Sequence, residues 1–221
     1  MSFTKNQIAQ MIDHTILKAS ARSSDIIKLC EEAEQHNFYS VCINPFYASL
    51  AAEKLQNSTV KVCVVVGFPL GASCIETKAQ EAKKAVKDGA EEIDMVINIG
   101  ALKDGNYELV ENDIHMVAQA CKPAKLKVIL ETCYLSENEI IKACKLAASA
   151  GADFVKTSTG FGDYGAREDH VKLMRKIVGE EFGVKASGGI SSSEDALKMI
   201  KAGATRLGAS KGIKIISGFE N

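Results

Sequence analysis

Short runs rich in apolar and β-branched residues recur along the chain at even intervals. They are HTIL (14–17), YSVCIN (39–44), KVCVVVGF (61–68), EIDMVINI (92–99), LKVILET (126–132), DFVKTS (153–158), GVKAS (183–187) and TRLGAS (205–210). Each run reads as a strand. Between them lie segments with helical spacing. SSDIIKLCEEAEQ opens on serines suited to an N-cap and carries Ile26, Ile27, Leu29, Cys30 and Ala33 near one face. SENEIIKACKLAASA begins with Ser136 and places Glu139 three residues on, a capping box. SSSEDALKMIKA repeats the arrangement from Ser193. The helix exits echo one another too. Gly89, Gly151 and Gly203 are each followed by alanine and then a strand, and Asn37 holds the same place before the second strand. A left-handed residue commonly ends a helix, and glycine adopts that conformation freely.

Eight strands alternating with about seven helices predict parallel strands joined by crossover helices. CVVV and KVIL read as apolar throughout, as expected when both faces of a sheet are covered. An open, doubly wound sheet is the alternative. Eight units in 221 residues, with no Gly-x-Gly-x-x-Gly after the first strand, favour an α/β fold of the (β/α)8 TIM-barrel type. No proline- or serine-rich tract divides the chain, so one domain over residues 1–221 is expected.

Composition narrows the function classes. Apolar residues make up 46% and charged residues 25%, the balance of an ordinary globular protein. A formal net charge of -1 gives no general pull toward nucleic acid or an anionic membrane. No apolar run approaches the roughly 18 residues of a spanning helix. The N-terminal segment lacks an apolar signal core with a cleavage site, so a cytoplasmic protein is expected. The seven cysteines are odd in number and form no CxxC pair. That pattern speaks against a disulfide framework or a structural zinc site and for small core side chains.

In such a barrel the active site lies at the C-terminal ends of the strands. The polar residues to inspect are therefore Asp13, His14, Cys42, Asn44, Asp94, Asn98, Glu131, Thr132, Lys156, Thr157, Ser158, Lys185, Ser187 and Ser210. Lys156 ends an apolar strand just before a glycine-rich loop. A lysine there either snorkels to solvent, pairs with an acid, or does chemistry. Lys185 occupies the matching point of the next strand, and parallel neighbours lie roughly 4.8 Å apart. Two close ammonium groups repel, and burial disfavours charge. Both effects favour a neutral amine, which can attack a carbonyl to form a Schiff base. Asp94 interrupts an apolar strand and serves either as a buried ion-pair partner or as a proton relay.

A phosphate site is suggested by the last strands. Gly188 and Gly189 precede a serine-capped helix, and strand eight ends with Gly208 and Ser210. Loops after strands seven and eight bind phosphate in these barrels. Gly160, after strand six, adds a backbone donor. No three histidines share one rim, so a zinc-dependent aldolase site is not indicated. Cys42 lacks a histidine partner and reads as core. Glu131 reads equally as a lysine partner, a rim hydrogen-bond acceptor or a catalytic acid.

The motifs DHT (13–15), EIDMVINIG (92–100), LKVILET (126–132), DFVKTSTGF (153–161), VKASGGI (184–190) and RLGAS (206–210) resemble those of the deoxyribose-phosphate aldolases. The resemblance spans nearly the whole chain in order. It implies a metal-free, cofactor-free class I aldolase that reversibly cleaves 2-deoxy-D-ribose 5-phosphate to D-glyceraldehyde 3-phosphate and acetaldehyde. By motif, Lys156 matches the Schiff-base lysine, Lys185 the second lysine that activates it, and Asp94 the carboxylate that orients a relay water. Asp13, Gly188, Gly189 and Ser210 match positions lining the substrate and phosphate pocket. Two positions depart from the pattern. Phe161 stands where some members carry a phosphate-binding lysine, and Phe219 lies in the tail where some carry a tyrosine that assists proton transfer. The rival readings are a transaldolase-like Schiff-base enzyme and a silent barrel that binds phosphate ligands. The expected partners are a sugar phosphate and aldehydes. Self-association through helix faces is compatible with the pattern, although no motif points to it.

Overall fold

Each of the eight apolar runs forms a strand, and each strand lies parallel to the next. In the computed structural model, which describes residues 3–220, the strands are β1 (Ile12–Ile16), β2 (Ser40–Ile43), β3 (Lys61–Val66), β4 (Glu92–Val96), β5 (Lys125–Ile129), β6 (Phe154–Lys156), β7 (Gly183–Ser187) and β8 (Arg206–Ala209). β8 pairs back onto β1, so the sheet closes into a barrel in chain order. Helices follow the strands and cover the outside. Among the described residues no helix is long and apolar enough to cross a membrane.

The helix boundaries follow from local chemistry. Asn37, Gly89, Gly151 and Gly203 all take positive φ (54°, 101°, 93° and 110°), the left-handed turn expected at the helix exits. Ser136 forms its capping box with Glu139. The later serine-capped helix, Ser193–Lys201, is capped one residue earlier than expected: Ser192 is the cap, paired with Asp195. At Ser23–Gln35 the cap position falls on Arg22, whose N–H donates to Asp25 at 2.8 Å.

Several strands are shorter than their apolar runs, and two of the ends carry polar candidates. β4 stops at Val96, and Asn98 instead caps the short helix Ile99–Lys103 by accepting from the Ala101 N–H. β5 stops at Ile129, and Glu131 turns the chain with φ 55°.

Alternation along the strands separates two cores. Val62, Val64, Ile93, Met95, Val128 and Leu207 face outward and join the buried apolar layer under the helices. Each such side chain contributes about 1.5–3 kcal/mol on burial, so this outer layer carries most of the stability. The barrel interior is different. Among the described residues, its apolar cluster is small: Leu17, Cys42, Cys63 and Val65. Much of the remainder is charged: Asp13, Glu92, Asp94, Lys127, Lys156, Lys185 and Arg206 are all buried. KVIL is therefore not apolar throughout. Lys127 is fully buried and points inward, while Val128 packs outward.

Candidate active site

Asp94 is the hub of the interior. It lies mid-strand in β4, beside Val65 of β3 and Lys127 of β5 in register. Its Oδ1 accepts from Lys127 Nζ at 2.9 Å, and its Oδ2 accepts from Lys156 Nζ and Lys185 Nζ, each at 2.7 Å. Lys156 and Lys185 are direct register partners on β6 and β7. Cys63 donates to Asp94 Oδ1 at 3.1 Å. Burial pushes the Asp94 carboxyl up, but the ammonium groups of Lys127, Lys156 and Lys185 outweigh it. They hold Asp94 well below the usual carboxylate range.

Below this hub sits a second tier. Lys185 also pairs with Asp13, and Lys127 pairs with Glu92 at 2.5 Å. Arg206 reaches Asp13 and Glu92, each at 2.9 Å. Its guanidinium stacks on Tyr39, 3.5 Å from the ring centre. Burial likewise works against the Asp13 carboxyl, but Lys185, Arg206 and Lys127 drive it far below its ordinary value.

These contacts correct one expectation. Repulsion between Lys156 and Lys185 was expected to weaken the charge on both. Burial does disfavour the Lys185 ammonium, but Asp13 and Asp94 more than offset it, and its pKa lies above the ordinary lysine value. Lys127 behaves alike. Burial opposes its charge, and Asp94, with Asp13 and Glu92, holds it well above that value. Two sets of donors, Cys42 with Cys63 and Asp94, and Asp13 with Cys63 and Glu92, are close enough to hold a metal ion. Lys127 Nζ stands among them, 3.3 Å from Cys63 Sγ, so an ammonium supplies the positive charge there.

Above the hub opens a cleft of about 560 Å³ at the C-terminal ends of the strands. Among the described residues of the charged cluster, Lys156 alone lines it. Gly160, Gly188, Gly189, Gly208 and Ser210 also line it, so five of the six expected substrate-binding positions meet in one wall. Asp13 does not. It is fully buried, low in β1, beneath the cleft. Gly188 has φ 83°, and a Cβ there would stand 2.8 Å from the Cα of Gly165. Only glycine lets the β6 and β7 loops lie this close. Gly208 makes room for a lysine: a Cβ there would stand 3.1 Å from Lys185 Cε.

The remaining candidates have other work. His14 points away from the interior, with Nε2 2.8 Å from the Glu32 carboxylate. Among the described residues Glu131 pairs with no lysine; its carboxylate accepts from the Thr159 N–H at 3.2 Å and from the Thr159 hydroxyl. Thr157 ties β6 to β7 through Ser187, and Asn44 donates to the Leu17 carbonyl at 3.3 Å. Cys42 lies inside the barrel, with its thiol 3.9 Å from Asp94. Phe161 is at the cleft mouth, edge-on to Phe68 with ring centres 5.4 Å apart. Phe219 packs on the outer core rather than in the cleft, and the next carbonyl, of Glu220, accepts from the Lys5 N–H at 2.8 Å.

Residues 7–219 match the family model described as DeoC/LacD family aldolase. The chain belongs to this aldolase family. A protein of Aciduliprofundum boonei named deoxyribose-phosphate aldolase is 58% identical over 216 residues, covering 97% of each chain. A crystal structure from Coccidioides immitis superposes with a TM-score of 0.96 at 47% identity, covering 99% of this chain and 87% of that one. The deoxyribose phosphate aldolase of Aeropyrum pernix, described as a tetramer, gives 0.92 at 32% identity, covering 98% and 92%.

Several features of this aldolase site escaped the sequence reading. Lys18 and Lys211 line the same cleft and put two cations beside the glycine loops. Glu92, Lys127 and Arg206 complete the charged interior. The available signal was phase: Glu92 and Asp94 are two residues apart, the spacing of one strand face.

Proposed function

We propose that the protein reversibly cleaves 2-deoxy-D-ribose 5-phosphate to D-glyceraldehyde 3-phosphate and acetaldehyde through a Schiff base on Lys156. One observation carries the reading. The amine that faces the cleft belongs to a buried ion cluster on one side and looks toward glycine loops suited to an anion on the other.

The chemistry follows from that placement. The phosphate sits against backbone N–H groups near Gly188, Gly189 and Gly160, with Ser210, Lys18 and Lys211 beside it. Anchoring the remote end of the sugar turns its aldehyde toward Lys156. The neutral Lys156 amine adds to C1, and loss of water gives an iminium. A base takes the proton of the C3 hydroxyl, and the C2–C3 bond breaks. Its electron pair moves into the iminium, which becomes an enamine, while C3 becomes the aldehyde carbon of the released triose phosphate. Protonation at C2 and hydrolysis then free acetaldehyde and the amine. Asp94, through water, suits the proton transfers. Lys185, which keeps its charge, suits a donor better than a nucleophile.

Two coarser features accompany this reading. A phosphorylated metabolite as substrate and seven free cysteines agree with a cytoplasmic setting. The tetramer described for the Aeropyrum pernix relative supports self-association of this chain, which light scattering would measure. The decisive test of the function is borohydride reduction in the presence of acetaldehyde, followed by peptide mapping. The adduct should fall on Lys156 and vanish in Lys156→Leu. Trapping at full yield in that variant would overturn the assignment. Cleavage assayed with deoxyribose 5-phosphate and with transaldolase substrates separates the two Schiff-base readings. Binding of sugar phosphate without trapping would favour the silent barrel.

A further inference from the structure

The charged interior is an ordered ring. Arg206 bridges Asp13 and Glu92, at 2.9 Å to each. Lys127 bridges Glu92 and Asp94, at 2.5 and 2.9 Å. Lys185 bridges Asp94 at 2.7 Å and Asp13. Signs therefore alternate around a closed circuit of six residues: Asp13, Arg206, Glu92, Lys127, Asp94 and Lys185. Three cations balance three carboxylates. Lys156 is the fourth cation of the cluster. Among the described residues its one ion-pair partner is Asp94, through Oδ2 at 2.7 Å, an oxygen that Lys185 already shares.

We propose that Lys127 and Glu92 are positioning residues for the reaction: by completing a charge-balanced ring, they leave Lys156 as the surplus cation, the one amine whose proton the cluster releases. The inference rests on the Schiff-base reading of Lys156 and adds what frees that amine. The second lysine alone does not account for it, because Lys185 is matched within the ring. Each ring cation is held charged by the carboxylates around it, Lys127 also reaching across the ring to Asp13 at 3.8 Å, in the directions given above for Lys127 and Lys185. Arg206 is also raised: burial opposes its charge, and Asp13 and Glu92 overcome that. Every strand feeds this balance. Asp13 comes from β1, Cys42 from β2, Cys63 from β3, Glu92 and Asp94 from β4, and Lys127, Lys156, Lys185 and Arg206 from β5 to β8. At the rim, Lys18 and Lys211 face the same cleft, and Glu131 is engaged with Thr159.

The ring makes predictions of opposite sign. Lys127→Met leaves two ring cations against three carboxylates, so Lys156 becomes the required third cation and should hold its proton to higher pH. Glu92→Gln leaves three ring cations against two carboxylates, so Lys156 should lose its proton at lower pH. The double variant restores the balance. Among the described residues neither is a hydrogen-bond or ion-pair partner of Lys156, and a merely structural role would not move the two single variants in opposite directions.

The measurement is the rate of Lys156 acetylation by dilute acetic anhydride as a function of pH, read by peptide mass mapping. Only the neutral amine reacts. The pH of half-maximal rate should rise by about 1–3 units in Lys127→Met, the range for gaining or losing a charged partner. It should fall in Glu92→Gln and return toward wild type in the double variant. Glu92→Gln keeps the side chain's size and suffices if Lys127→Met does not fold. An unchanged or raised midpoint in Glu92→Gln overturns the proposal. The assay needs no turnover, so it is separable from the function itself, which fails only if acetaldehyde is not trapped on Lys156.

Discussion

Replacing Asp94 with asparagine changes one atom and removes one charge, yet it should be felt across the whole barrel. Both carboxylate oxygens accept from ammonium groups, Oδ1 from Lys127 and Oδ2 from Lys156 and Lys185. An asparagine amide has one acceptor oxygen and one donor NH2. Whichever way it is flipped, its NH2 faces an ammonium. At contacts of 2.7–2.9 Å each lost attraction is gross about 6 kcal/mol at an effective dielectric near 20. Most of that is offset by desolvation, and the net loss on stranding buried partners is about 3–5 kcal/mol. For a chain of this size each kcal/mol moves the melting temperature by about 2–4 °C, so Asp94→Asn should melt roughly 6–20 °C lower at pH 7. Loss of a proton-relay group should also slow turnover by about 10²–10⁴.

The pH dependence sharpens this test. Asp94 is held below its ordinary value of 3.8, so its contribution is complete above that pH. It drains away as pH falls from there toward the lower folded value. The melting gap between wild type and variant should therefore be widest near neutrality and narrow below pH 3.8. Thermal melts followed by circular dichroism across that range measure it. A gap below about 2 °C at pH 7, or one that does not narrow in acid, would refute the picture of Asp94 as a charged hub.

Three further changes test other parts of the molecule. Gly188→Ala forces a side chain onto φ 83° and to within 2.8 Å of the Gly165 backbone; it should destabilise by about 1–3 kcal/mol in urea melts and raise KM for the sugar phosphate. Lys18→Ala combined with Lys211→Ala should raise KM for the phosphorylated substrate about tenfold, the equivalent of about 1.4 kcal/mol of binding, and leave acetaldehyde trapping unchanged. Lys78→Met strands buried Asp113, whose carboxylate lies 2.5 Å from Lys78 Nζ, and should cost about 3–5 kcal/mol; adding Asp113→Leu should recover most of it.

The sequence made some of this legible and hid the rest for physical reasons. The strands were readable because apolar runs and glycine exits are local. The meeting of Lys156 and Lys185 was readable because they sit at equivalent points of consecutive strands, and the structure places them in register. The glycine loops were readable because each bears directly on backbone conformation. The ring was not. Lys127 sits in an otherwise apolar run, and its charge was absorbed into the strand pattern. Arg206 and Asp13 are 193 residues apart, and nothing local links them. Lys185 could be placed beside Lys156 because register between consecutive strands was visible, while the alternation of charge around the ring was not. Phe161, which stands where some members of the family carry a phosphate-binding lysine, pairs with Phe68, and Lys18 and Lys211 line the cleft beside it.

The bridge from Asp13 to Arg206 also has a meaning in time. A polypeptide is made from its amino end, so Asp13 and Glu92 exist long before their shared guanidinium does. Until residue 206 has been added, the growing chain holds two carboxylates whose common partner is missing, and burying them in that state is costly. The hydrogen bonds that join β8 to β1 arrive with the same four-residue strand. Sealing the barrel and balancing its interior are thus a single late event, and a nascent chain short of β8 has neither a closed wall nor a finished active site.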